Sequence, residues 1–150
     1  MTVPSRPEAT SGRAAATLLP PGSLIVLFDG GCPICRRTVR TLRRLDLFGR
    51  LQFADATHDD VRRRVAPTLA LETAMRQMHV VDAHGRMDGG YDAQLRIMRR
   101  VPLLWLFGVL GALPLVRQIG SAVYRYIAAN RRRQGVCSDE LCSPAFRRSP

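Results

Sequence analysis

The sequence predicts an α/β domain in which a β-α-β unit is followed by a β-hairpin and additional C-terminal helices. Three observations lead there. Leu24 to Phe28 is short and continuously apolar, as in a strand buried on both faces. Past Asp29-Gly30-Gly31, the apolar residues recur at helical spacing through Leu45. Leu51-Gln52-Phe53-Ala54 then reads as a second short strand, placed to pair in parallel with the first through a right-handed crossover.

Length and composition set the frame. A chain of 150 residues that is 46% hydrophobic suits one domain with a full core. Met1 to Ser23 is rich in Ser, Thr, Ala, Pro and Arg without a sustained period, and is expected to be a disordered lead-in. Its Arg6 and Arg13 precede Leu18-Leu19, but Pro20-Pro21-Gly22 cuts the apolar run short of an export signal, so a cytoplasmic chain is expected. The domain is expected over 24–133, with a flexible cysteine-containing tail over 134–150. There is no lysine, and the formal net charge is +11. Such a charge suits nucleic acid or an anionic membrane surface. With no nucleic-acid motif or aromatic stacking ladder, solvated arginine faces are the preferred reading and no nucleic-acid partner is expected.

The first helix carries the clearest pattern. Cys32 falls at the N-cap and Pro33 at the favoured first helical position. At 100° per residue, Ile34, Cys35, Thr38, Val39, Leu42 and Leu45 share one arc, and Arg36, Arg37, Arg40, Arg43 and Arg44 the opposite one. The same wheel puts Cys35 inside the apolar arc and Cys32 at its edge, nearer solvent. Gly49 is a plausible stop. Thr57 with Asp60 resembles a capping box that starts a helix ending before Pro67.

Met78 to Val81 reads as a third strand, Asp82-Ala83-His84-Gly85 as a turn, and Arg86-Met87 as the start of a returning strand. A helix from about Asp92 to Arg100 turns Ala93 and Ile97 inward and stops at Pro102. Val101 to Val116 is the most apolar region. Gly108, Gly111 and Pro114 interrupt it, and it falls short of the roughly 18 apolar residues of a membrane span. Packing over the sheet is expected, with membrane-surface contact less favoured. A last helix carries Val116, Ile119, Val123, Tyr126 and Ile127, and Arg131 to Arg133 suit its C-terminal end.

The chemistry centres on Cys32-Pro33-Ile34-Cys35. A C-x-x-C beside a β-α-β pattern reads as a thioredoxin-like redox motif. Cys32 at a helix N-terminus meets unpaired amides and a dipole that favour a thiolate, and Arg36 and Arg37 add positive potential. Cys32 is therefore the expected nucleophile, and Cys35 the thiol that resolves a mixed disulfide. Asp29 is expected to order the loop rather than move protons. Cys137 and Cys142 form a possible second thiol pair. The alternative is a non-enzymatic zinc-binding adaptor that holds one metal with Cys32, Cys35, Cys137 and Cys142. His58, His79 and His84 share no ligand or triad spacing, and His79 is expected to be half-buried or at the surface. Without a G-x-G-x-x-G after a strand or a P-loop, no cofactor is expected. Electrons should arrive from an external thiol reductant and reach a protein or small-molecule disulfide.

Several spaced motifs resemble one family. Leu27-Phe28-Asp29-Gly30 through Cys32-x-x-Cys35 is similar to the DCC family of thiol–disulfide oxidoreductases, with Asp29, Cys32 and Cys35 on its three name-giving positions. Met78 to Asp82 with Gly85, then Gly90 and Arg99-Arg100-Val101-Pro102, extend the match. Val123-Tyr124-Arg125 with Ala128 and Asn130-Arg131 resembles a further segment. The resemblance implies a thioredoxin-like fold and protein disulfide oxidoreductase activity. Classical thioredoxins place a cis-proline before the strand facing the active site; here Gln77 or Met78 occupies that region.

Overall fold

The computed structural model describes residues 19–130. The tail cysteines Cys137 and Cys142, Arg131 to Arg133, and most of the lead-in lie outside them. Four strands form one mixed sheet in the order β2-β1-β3-β4. Central β1 (Leu24–Phe28) runs parallel to β2 (Leu51–Asp55) and antiparallel to β3 (His79–Asp82), which pairs antiparallel with β4 (Met87–Gly89). The architecture is α/β and thioredoxin-like, as the two short runs and the hairpin predict. Phe28 lies opposite Asp55 in the register, so both parallel strands end at one edge, where the cysteine loop begins.

Side-chain alternation along β1 divides the core in two. Leu24, Val26 and Phe28 meet Val39 and Leu42 of α1 (Pro33–Leu45) and Ala93 and Ile97 of α4 (Gly90–Arg100) on one face. Ile25 and Leu27 share the other face with Val61 and Val65 of α2 (Asp59–Val65) and Ala74 of α3 (Leu71–Arg76). Burial of each large side chain contributes about 1.5–3 kcal/mol, which is why a strand without a polar residue is stable here.

Several boundaries differ from expectation. Packed structure includes residues before Leu24: Leu19 is buried in the second cluster and Ser23 is buried too. α2 is capped at His58 rather than Thr57, whose hydroxyl turns back to β2 and donates to Asp55 Oδ1 at 2.7 Å. α3 was not expected at all; six residues are too few to show a period. His79 is buried at 4% exposure, since β3 runs inside the sheet between β1 and β4.

The largest difference follows Pro102. A 3-10 turn (Pro102–Leu104), α5 (Trp105–Leu110) and α6 (Pro114–Asn130) do not lie on the sheet. α1 and α4 already occupy that face, so this segment packs outside α4. Glycines make the close approach possible: Gly108 fits against Met98 and Arg99, and Gly111 beneath Leu95 and Tyr91. Tyr91 Oη donates to the Gly111 carbonyl at 3.2 Å, and Arg117 bridges both carboxylate oxygens of Asp92 at 2.9 and 3.0 Å.

Candidate active site at the first helix start

The loop between β1 and α1 is built to hold Cys32 at the helix cap. Asp29, 1% exposed, accepts the Gly31 N–H on Oδ1 at 2.9 Å, and its carbonyl accepts the Cys32 N–H at 3.1 Å. This local turn chemistry aims the chain at the helix. From β2, Asp55 Oδ1 accepts the Gly30 N–H at 3.1 Å while also accepting the Thr57 N–H and hydroxyl. A Cβ at position 30 would overlap that carboxylate, so glycine is needed for closeness. Arg36 Nη1 donates to the Gly30 carbonyl at 3.4 Å from the helix side.

Cys32 is the N-cap in extended conformation (φ −99°, ψ 114°), with Pro33 in the first turn. Its Sγ accepts the Cys35 N–H at 3.4 Å. A sulfur in this position satisfies one of the helix's orphan donors, and a thiolate accepts such a bond more strongly than a thiol. Both cysteines are free thiols.

Exposure reverses the order expected from the helix wheel. Cys32 is 0% exposed and Cys35 6%. A wheel describes only the helix; the cap residue lies before it, where the chain folds Cys32 into the same buried cluster as Phe28 and Met78. Cys35 belongs to the same cluster and also lines a cavity of ≈ 390 Å³ between α1, α4 and α6, with Ile34, Met78, Tyr91, Val123 and Tyr124 among its walls. Ile34, expected to face inward, is 49% exposed on this rim. Arg37 is exposed and lines a neighbouring cavity with Thr41 and Leu45.

The segment before β3 completes the site. Gln77 is extended (φ −156°, ψ 158°), and the described residues contain no cis peptide bond. The Met78 N–H donates to Tyr124 Oη at 3.1 Å, tying α6 to the start of β3 beside Cys35, and Gln94 Nε2 lies 3.3 Å from Met78 Sδ. Sequence reasoning missed Asp55, Tyr91 and the role of Tyr124. Asp55 had one visible signal, an Asp at a strand end two residues before Thr. Nothing local points to either tyrosine. Among the described residues no group of three or more His, Cys, Asp or Glu is placed to hold a metal ion.

Comparison with known proteins adds a second line of observation. The chain is 29% identical over 100 residues to an Arabidopsis thaliana protein described as uncharacterized and chloroplastic; the match covers 66% of this chain and 46% of the relative, so the chain spans less than half of that protein's length. No solved structure matches it. The profile of one family matches residues 26–136, which take in all of the sheet but Leu24 and Ile25, both cysteines of the helix start and α6, but stop short of Cys137. On that match, and with Asp29 and Cys32 in the loop that leads to Cys35 in the first turn of α1, the chain belongs to the DCC1-like thiol–disulfide oxidoreductase family.

Proposed function

We propose that the protein is a thiol–disulfide oxidoreductase that cycles Cys32 and Cys35 between dithiol and disulfide. The observation that carries the reading is the Cys32 sulfur seated as the α1 cap, accepting the Cys35 N–H. The Cys32 thiolate attacks a substrate disulfide, forming a mixed disulfide and releasing one substrate thiolate. The Cys35 thiolate then attacks Cys32 Sγ, closing the Cys32–Cys35 disulfide and releasing the second substrate thiolate. Two electrons pass to the substrate, and an external thiol reductant restores the dithiol. Asp29, Pro33 and Arg36 position the loop, with Arg37 adding positive charge on the helix.

Complete burial of Cys32 adds a requirement, because a substrate sulfur reaches it only when the surrounding walls part. The apolar cavity beside Cys35 is the route this geometry supports. Trapping tests the order of attack. Cys35→Ser incubated with a small aromatic disulfide should accumulate a mixed disulfide on Cys32, read by intact mass and peptide mapping. Cys32→Ser should lose exchange. Adduct on Cys35 in Cys32→Ser at the wild-type rate would reverse the two roles, and no adduct in either variant would refute the redox reading.

A further inference from the structure

The outer helices present an apolar surface to solvent. Leu106 is 57% exposed, Phe107 62%, Leu115 70% and Tyr126 71%, within one continuous stretch of chain. So large a contiguous patch marks a surface that something covers. On α6, Leu115, Ile119, Ala122, Val123 and Tyr126 share one arc at 100° per residue, while Arg117, Gln118, Ser121 and Arg125 share another. The inner edge is already engaged: Tyr124 holds the Met78 N–H, and Gly120 rests against Tyr91.

Charge says what covers the face. No Asp or Glu occurs from Ala93 through Asn130; Arg96 and Arg117 in that stretch are bridged to Asp82, Asp88 and Asp92, and Arg99, Arg100 and Arg125 carry its remaining positive charge. A second copy meeting through the same stretch would bring these arginines no carboxylate. A surface of anionic phosphates would instead complement them, and the exposed rings of Trp105 and Tyr126 suit the headgroup level of a bilayer. Among the described residues no single helix is long and apolar enough to cross a membrane, and the Pro102–Leu110 and Pro114–Asn130 segments meet at 107°. At about 1.5 Å per residue, neither segment reaches the roughly 30 Å of a hydrocarbon core. The arrangement suits lying on a membrane rather than spanning it.

We propose that the outer face of α5 and α6 docks in the interface of a bilayer containing anionic lipid. The apolar arcs enter the headgroup–acyl boundary, and Arg99, Arg100 and Arg125 reach lipid phosphates. Val123 and Ile127 belong both to the exposed apolar surface and to the cavity at Cys35, so docking sets the cavity mouth at the lipid. The docking itself does not depend on the redox reading.

The chain has a single tryptophan, and it lies within this patch. Full-length protein is mixed with vesicles of phosphatidylcholine alone or with about 30% phosphatidylglycerol, and both co-sedimentation and Trp105 emission are followed. Sedimentation with the anionic vesicles and a blue shift of Trp105 are expected, with binding at least about tenfold weaker to neutral vesicles. The double variant Leu106→Glu, Phe107→Glu should also bind at least about tenfold more weakly while keeping its circular dichroism and thiol exchange. Should that variant misfold, depth-dependent quenching of Trp105 in the wild type by brominated lipids reads the same insertion. Equal binding to both vesicle types, or unshifted emission with all of them, overturns the proposal. So does a stable dimer in light scattering whose Trp105 emission is blue in water and unmoved by vesicles.

Discussion

Phe28 and Phe107 are the same side chain in opposite circumstances. Phe28 ends the central strand at 0% exposure, packed between α1 and α4, while Phe107 stands on α5 at 62%. Both lie in runs that read as strongly apolar in sequence. Around Phe28 the apolar side chains stabilise the fold, because each is removed from water by another element of the same chain. Around Phe107 the same composition contributes little to folding and is left available for association. Apolarity of a segment therefore does not tell whether it is core or contact surface; a covering partner decides.

The largest expected effect tests that contrast directly. Phe28→Ala should cost about 3–5 kcal/mol in urea denaturation, through lost burial and a residual cavity, whereas Phe107→Ala should stay within about 0.5 kcal/mol. Comparable losses at the two positions would show that α5 is part of the cooperative core. Next, Asp55→Ala strands the buried Gly30 N–H, also removes the acceptor of the Thr57 N–H and hydroxyl, and should cost about 2–3 kcal/mol. It should also slow exchange at Cys32, measured with a small disulfide, because the loop that seats the sulfur loses its support from β2. A variant as stable and as fast as wild type would show that Asp29 and Arg36 hold the loop unaided.

Tyr124→Phe removes the acceptor of the Met78 N–H, the bond joining outer helix to sheet, and should cost about 1 kcal/mol. Hydrogen exchange at Met78 should accelerate while the amides of β1 keep their protection; unchanged Met78 protection would mean that α6 is held by its other contacts. The smallest effect is a pH slope. Burial pushes the His79 pKa below its ordinary 6.5, outweighing a backbone hydrogen bond with Gln77 that raises it. Below pH 6.5 the unfolded chain takes up the proton before the folded one does, so stability rises with pH up to about 6.5 and is level above it. His79→Gln should flatten that slope in denaturation midpoints between pH 5.5 and about 7.5, and an unaltered slope would place its origin in another group.

Much of the frame was legible beforehand. β1, α1, β2 and the hairpin follow from short-range patterns, since a short apolar run, an N-cap followed by proline, and a glycine turn are local chemistry. Thr57 shows the limit: its spacing to Asp60 suggested a cap, but its hydroxyl turns back to a buried carboxylate of the preceding strand. α3 left no readable period over six residues. At the site, Cys32 and Cys35 announce themselves by spacing, whereas Asp55 and Tyr124 reach it across 25 and 46 positions of sequence.

By itself, the sequence determined which residues share a strand or a helix face and where Cys32 caps α1, because those relations span only a few residues of backbone. The tertiary structure alone decided which faces are covered. It buried Cys32 deeper than Cys35, placed Asp55 beneath Gly30, and left the outer face of α5 and α6 uncovered. Burial is a property of pairs of surfaces, and a one-dimensional pattern displays only one member of each pair.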